Sequence, residues 1–178
     1  IKLSDVPWIL ELDDSKRLSP KKRERLYSFI VAEAKVTAVG WATNFEIDTY
    51  GLAAAHHKTL VRVFAECKRS LGNKSLVAVV DGENLSFLSH EMGGDASIFC
   101  DRADSRSYSV AAASIVAKVT RDFYMTMAEN TYPHHGFAKH KGYGTTQHLE
   151  ALRRWGVTAL HRRSFEPIKS GNFPEYSP

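Results

Sequence analysis

The chain has 178 residues, 43% of them hydrophobic and 25% charged, with a net charge of +4. That is one domain's worth of sequence with enough apolar content for a substantial core. No apolar run approaches the roughly eighteen residues of a membrane helix. Lys2, Asp5 and Pro7 interrupt any apolar leader. Cys67 and Cys100 lie far apart, which offers no disulfide framework and fits a reducing, cytoplasmic setting. The mild positive charge leans toward polyanionic partners, and its distribution says more than its sum. It concentrates in "KRLSPKKRER" (Lys16 to Arg25), "FAKHKGYG" (Phe137 to Gly144) and "HRRSF" (His161 to Phe165). Two of these three also carry an aromatic residue, a pairing suited to phosphates and to sugars or bases.

In chain order, "LSPKKRERLYSFIVAEA" predicts a helix with Ser19 as N-cap and Pro20 at its first position. "KVTAVGWATNF" alternates and is rich in β-branched and aromatic residues, so a strand is expected from about Val36 to Ala42. Leu60, Val63, Phe64, Cys67 and Leu71 recur at helical spacing, with Gly72 placed as the C-cap. A short buried strand follows from Leu76 to Val80, then a turn-rich region containing "GGDA" and a short apolar piece, "SIFC". The strongest helix lies in "SYSVAAASIVAKVTRDFYMTMAENTYP". Its apolar stripe is Ala112, Ile115, Val116, Val119, Phe123 and Met127, while Ser114, Lys118 and Arg121 share another face. A loop rich in Gly, His and Lys leads to a last helix, about Thr146 to Trp155, closed by Gly156. Strands alternating with helices indicate an α/β or mixed α+β domain around one sheet.

Asp81 ends an apolar strand and precedes Gly82. Asp-Gly is a favoured turn pair, and the residues alone favour that reading, yet the C-terminal end of a strand is also where α/β sheets place their chemistry. Asp104, just before the long helix, with Asp101 three residues earlier, admits a similar pair of readings. One is an N-cap, a role open to Ser107 or Ser109 as well, and the other is an oxygen ligand for a hard cation. His134, His135, His140 and His148 raise a zinc site. Lys139 and Lys141 would repel a dication there and no cysteine pair accompanies them, so a phosphate-binding loop is preferred. In that loop Tyr143 is either a stacking residue or a buried aromatic. Asp13, Asp14, Ser15 and Lys16 form either a solvated loop or a phosphate contact through the Ser15 hydroxyl and the Lys16 ammonium.

The stretches "LDDSKRLSPKKRERLY", "VDGENL", "ADSRSYSVAAASIVAKVTRD", "GFAKHKGYGTTQHLEALRRWG" and "HRRSFEPIK" together resemble type 2 ribonuclease H (ribonuclease HII), in family order from about Leu12 to Lys169. The resemblance implies the ribonuclease H-like fold, a mixed sheet flanked by helices with a C-terminal helical region. It implies one domain over residues 1–178, with residues 133–178 as its substrate-binding region. The implied activity is metal-dependent cleavage of the RNA strand of RNA–DNA hybrids, and nicking on the 5′ side of a ribonucleotide embedded in duplex DNA. Mg²⁺ or Mn²⁺ serves as cofactor, and the products carry a 3′-hydroxyl and a 5′-phosphate. Of the family's four carboxylates, the third matches Asp81 and the fourth Asp104, both as metal ligands. Tyr143 matches the tyrosine that packs on the deoxyribose beside the ribonucleotide. Lys16, Lys118 and Arg121 look like phosphate contacts, and Ser15, His140 and Lys141 lie in the same motifs as further substrate contacts.

The family's opening motif, Asp-Glu-Ala-Gly-Arg-Gly, does not occur in these residues. With it go the first catalytic pair, the backbone that senses the ribose 2′-hydroxyl, and the first strand or two of the sheet. The start at Ile1 points to a fragment. The expectation is therefore an enzyme whose present chain is inactive or severely impaired by itself, monomeric and away from membranes. Its rival is a noncatalytic nucleic-acid-binding remnant of the same fold, and a zinc-binding module stands third.

Overall fold

The computed structural model describes residues 7–72, 74–82 and 96–177. Along the chain run a 3₁₀ turn (Pro7–Glu11), α1 (Pro20–Glu33), α2 (Asn44–Tyr50), α3 (Leu52–Leu71), β1 (Val77–Asp81), β2 (Ala96–Cys100), a second 3₁₀ turn (Ala103–Ser105), α4 (Tyr108–Thr131), α5 (Phe137–His140) and α6 (Thr146–Trp155). The contacts divide the chain into two compact units, Ile1–Trp41 with His56–Val119, and Ala42–Ala55 with Thr120–Pro178.

In the first unit, α1 starts as its sequence dictates. Ser19 has extended backbone angles, its hydroxyl accepts the Lys22 N–H at 3.3 Å, and Pro20 opens the helix. Leu26 and Ile30, one turn apart, are buried with Trp8, Ile9 and Leu18 against Ala112, Ile115 and Val116 of α4. A second cluster seats Phe64 of α3 on Ala78 and Val80 of β1, with Leu60, Leu76 and Phe99 around it. β1 and β2 pair in parallel, from Val77 opposite Ala96 to Asp81 opposite Cys100. The expected strand from Leu76 to Val80 is thus present but buried on one face only. Val77 is 60% exposed and Ile98 51%, because among the described residues only α3 covers the sheet. The "GGDA" turn region falls almost entirely outside the described residues.

The strand expected from Val36 to Ala42 is not one. Its residues alternate strictly between half-buried and exposed, as an extended chain should, but no strand pairs with it among the described residues. The segment instead lies on α3: a side chain on Gly40 would come within 2.5 Å of the Val63 side chain. Period-2 patterning reports extended backbone and one covered face, and a helix can provide that cover as well as a sheet can.

The second unit holds α2, residues 120–131 of α4, α5, α6 and the C-terminal segment. Helix α2 opens with a reciprocal capping box between Thr43 and Glu46. Its Asp48 accepts the backbone N–H groups of Arg163 at 2.8 Å and Ser164 at 2.9 Å. Arg163 in turn forms a two-pronged ion pair with Glu175, both contacts at 2.6 Å. Val157 bridges to Glu175, and Gly156 must be glycine: its φ is +88°, and a Cβ would lie 2.6 Å from the Pro174 carbonyl. The stripe expected along α4 stops halfway. Ala112, Ile115 and Val116 are buried, whereas Phe123 is 65% and Met127 48% exposed. No described helix is long and apolar enough to cross a membrane.

Candidate functional site

Asp81 is the last residue of β1, and the ladder ends beyond it where Gly82 (φ +113°) donates its N–H to Cys100 O at 3.0 Å. The turn and the candidate ligand are therefore the same structure. The exposed carboxylate of Asp81 accepts the backbone N–H of Ala103 through Oδ1 at 2.9 Å, and Ala103 is fully buried. That bond fastens the 3₁₀ turn Ala103–Ser105 to the end of β1, and half-buried Asp104 is the middle residue of that turn. Asp104 is not the N-cap of α4. Ser107 stands immediately before that helix, and its carbonyl accepts the Ala111 N–H at 2.9 Å.

Asp81 ends β1, and its bond to Ala103 brings the turn that carries Asp104 to the same end of the sheet. The oxygens of both carboxylates are hard donors of the kind Mg²⁺ or Mn²⁺ takes, unlike the nitrogen and sulfur set that zinc prefers. Among the described residues no third His, Cys, Asp or Glu completes a metal-binding group. Asp81 and Asp104 have the donor chemistry a hard cation takes.

Also in the first unit, Lys16 is exposed and its N–H is held by Asp14 Oδ1 at 2.8 Å, which fixes the loop ahead of α1. Ser15 is buried, and its carbonyl accepts from the buried Arg23 guanidinium at 2.9 Å. Arg23 therefore organises the loop from inside the basic stretch. Lys118 is half-buried on α4.

In the second unit Tyr143 is 57% exposed. The Arg121 guanidinium lies 5.0 Å from its ring centroid and also donates to the Lys141 carbonyl at 2.7 Å. Arg121, expected on phosphate, also engages this loop. The Lys141 ammonium donates to the Thr126 hydroxyl, and its backbone sits in the left-handed region with φ +52°. His140 is buried: its Nε2 meets the His135 carbonyl at 2.6 Å, and its Nδ1 accepts the Gly142 N–H at 3.1 Å. Its ring stacks on His148, centroids 4.2 Å apart. His148 Nε2 lies 3.0 Å from His161 Nε2, and His148 Nδ1 lies 3.0 Å from the Tyr143 carbonyl. Burial, then the neighbouring imidazoles, push His161 down to about 4. Burial likewise holds His148 below the ordinary imidazole value. The ring nitrogens raised as zinc ligands at positions 140 and 148 are committed to protein partners, and His134 stacks on Trp155 at 4.2 Å.

Sequence reasoning missed His161, Asp48 and the Ala103 N–H. The Thr43/Glu46 box could have revealed α2, but nothing local announces that His161 meets His148, because the two stand thirteen positions apart in the chain.

The sequence matches the profile of the family described as ribonuclease HII over residues 8–168. It is 43% identical over 161 residues to ribonuclease HII of Pseudothermotoga lettingae, which covers 90% of this chain and 67% of that relative. It is 42% identical to ribonuclease HII of Chlamydia muridarum, covering 90% and 70%. The fold is similar to that in the crystal structure of the ribonuclease H2 from Pyrococcus horikoshii OT3, with a TM-score of 0.63 over 93% of this chain and 83% of that one. Sequence identity there is 23%, so that likeness speaks to fold alone.

Proposed function

The chain belongs to the ribonuclease HII family, endoribonucleases of type 2, and from that premise we propose the chemistry its residues perform. The substrate is an RNA–DNA hybrid, or duplex DNA carrying an embedded ribonucleotide that is nicked on its 5′ side. The protein works as a monomer in the cytoplasm, and its two free cysteines are compatible with that compartment. The observation that carries the reading is the Asp81–Ala103 hydrogen bond, which brings the turn of Asp104 to the end of β1.

Asp81 and Asp104 would hold a divalent cation, Mg²⁺ or Mn²⁺, which when bound activates a water and offsets charge on the leaving 3′ oxygen. The chain's own residues do the rest. The strand end and the turn keep the two carboxylates in register, so no reorganisation is needed when phosphate arrives. Exposed Lys16 and the more enclosed Lys118 meet the backbone phosphates, with Ser15 fixing the loop that presents Lys16. Residues 133–178 serve as the substrate-binding region, where Tyr143 packs on a sugar while Arg121, His140 and Lys141 hold its loop.

The test is cleavage of a duplex containing one ribonucleotide in Mg²⁺ or Mn²⁺, with the chain carried in a protein that supplies the Asp-Glu-Ala-Gly-Arg-Gly motif. Asp81→Asn and Asp104→Asn should each lower cleavage by at least about a hundredfold, the scale of losing a charge stabiliser at a reacting centre. Normal cleavage with both changes in place would sink the assignment of ligands.

One observation favours a second reading for these 178 residues by themselves: the Asp-Glu-Ala-Gly-Arg-Gly motif does not occur in them. On that reading the isolated chain binds duplex in a salt-dependent way and does not turn it over even with metal.

A further inference from the structure

We propose that His148 and His161 are positioning residues for Tyr143, a relay of two neutral imidazoles of fixed tautomer that ties the Tyr143 carbonyl to the backbone after α6. Only its consequence for duplex binding rests on the function proposed above; the relay itself rests on geometry.

A backbone N–H can only donate and a carbonyl can only accept, and one of each stands at the two ends of this relay. At the inner end the Thr158 N–H lies 2.9 Å from His161 Nδ1. The Thr158 hydroxyl lies 2.8 Å from the same nitrogen while receiving the Leu160 N–H at 3.2 Å. His161 Nδ1 therefore carries the lone pair, and a neutral ring then has its proton on Nε2. That proton points at His148 Nε2, 3.0 Å away, which must be the acceptor. The proton of His148 is consequently on Nδ1, where it donates to the Tyr143 carbonyl at 3.0 Å. Both ends demand the same direction, so the pair has one satisfied arrangement. Reversing either ring sets N–H against N–H, or a lone pair against the carbonyl.

A third ring works beside them. His140, stacked on His148, takes the Gly142 N–H on Nδ1 and gives Nε2–H to the His135 carbonyl. Residues 142 and 143 are thus each held through the backbone by a buried imidazole, while Arg121 steadies the Tyr143 ring and the Lys141 carbonyl. A second proton on either His148 or His161 would add a donor where the relay needs an acceptor. The groups facing the pair are His135, His140 and Phe137, and the charged groups on adjoining elements are Arg121 and Glu129 of α4, with Lys139 and Lys141. Burial, with the neighbouring imidazoles opposing a further charge, keeps both rings neutral at neutral pH.

Two measurements test this on the chain itself. Long-range ¹H–¹⁵N spectra at pH 7 should show His161 protonated on Nε2 and His148 on Nδ1. The opposite tautomer at either ring, or a cationic ring at pH 6, overturns the relay, and this reading needs no substitution. The second measurement is affinity for a ribonucleotide-containing duplex. In His148→Asn the amide N–H can replace Nδ1–H on the Tyr143 carbonyl. In His148→Gln the amide oxygen replaces the Nε2 acceptor and the tie to Tyr143 is lost. Binding should weaken about tenfold in His148→Gln and less than about threefold in His148→Asn, the scale of one hydrogen bond. Equal binding by the two variants, with Tyr143→Ala still weakening the parent, overturns the positioning role. If Tyr143→Ala leaves binding unchanged while the tautomers are as assigned, the relay stands and the reading of Tyr143 as a duplex contact falls.

Discussion

The carboxylate of Asp81 and the backbone N–H of Ala103 share a hydrogen bond of 2.9 Å, which joins the end of a strand to a turn twenty-two residues further on. Asp81 therefore holds Asp104 in place as well as offering its own oxygen. Asp81→Asn keeps an acceptor oxygen and removes the charge, whereas Asp81→Ala removes both. Asp81→Ala should destabilise the protein by about 1–2 kcal/mol, the cost of leaving the buried Ala103 N–H without its partner. Asp81→Asn should stay within about 0.5 kcal/mol of the parent. Urea unfolding measures the difference, and amide exchange at Ala103 should quicken in the alanine variant alone. Equal stability of the two would mean that the bond contributes nothing to the turn.

Arg121 offers a cleaner separation of contact from support. A guanidinium bound to phosphate reduces the salt dependence of duplex affinity by about one counterion when removed. The guanidinium of Arg121 donates to the Lys141 carbonyl, lies over the Tyr143 ring and sits 3.6 Å from the Asp122 carboxylate. Arg121→Ala should weaken duplex binding about tenfold while leaving the slope of log affinity against log salt unchanged. Arg121→Lys should not restore it, because an ammonium lacks the planar fork that serves both partners. Lys16→Ala is the contrasting case and should reduce the slope by about one. A reduced slope for Arg121→Ala would return that residue to the phosphates.

Much of this architecture was legible where the signal is local. Ser19-Pro20 marked the start of α1, Gly156 the end of α6, and the run before Asp81 marked β1, because caps, turns and short apolar strands are decided by neighbouring residues. Patterning misled where it could not say what supplies the cover. Residues 36–42 alternate as a strand should but lie on α3, and Phe123 and Met127 continue an apolar stripe into a region that leaves both exposed. The site divided in the same way. Asp81 and Asp104 stood out as chemistry-bearing residues at element ends, and the family resemblance ranked them above the turn and cap readings. His140, grouped with the substrate contacts, is buried, and its ring supports the loop from within. The meeting of His148 with His161 depends on tertiary folding and had no signature in the chain.

Asp48 shows how a single exposed-helix carboxylate organises a distant segment. Burial pushes it up, but the Ser164 hydroxyl and the N–H groups of Ser164 and Arg163 outweigh that and hold it below the usual carboxylate range. Asp48→Asn turns one donor toward the Arg163 N–H and should cost about 1–2 kcal/mol in urea unfolding. A carboxylate lowered on folding contributes stability above its unfolded value near 3.9, which is lost as pH falls through the folded value. The parent and Asp48→Asn should therefore converge in stability only below about pH 4. Convergence at neutral pH would show these hydrogen bonds to be dispensable.

His161 governs a different window, and its sign is opposite to that of a histidine that gains a partner on protonation. Folding lowers it from 6.5 to about 4, so between those values the unfolded chain binds the extra proton and the folded chain does not. Stability from this group is complete above about pH 6.5 and declines as pH falls toward 4, by about 3 kcal/mol over the whole interval. Urea midpoints measured from pH 7.5 down to 4.5 should fall steadily in the parent. His161→Gln can keep an acceptor toward the Thr158 N–H but cannot titrate. It should begin lower, because it packs less well, and then lose less stability across the same range. The two profiles should draw together as pH drops. Parallel profiles would place the acid sensitivity elsewhere and remove His161 as its source.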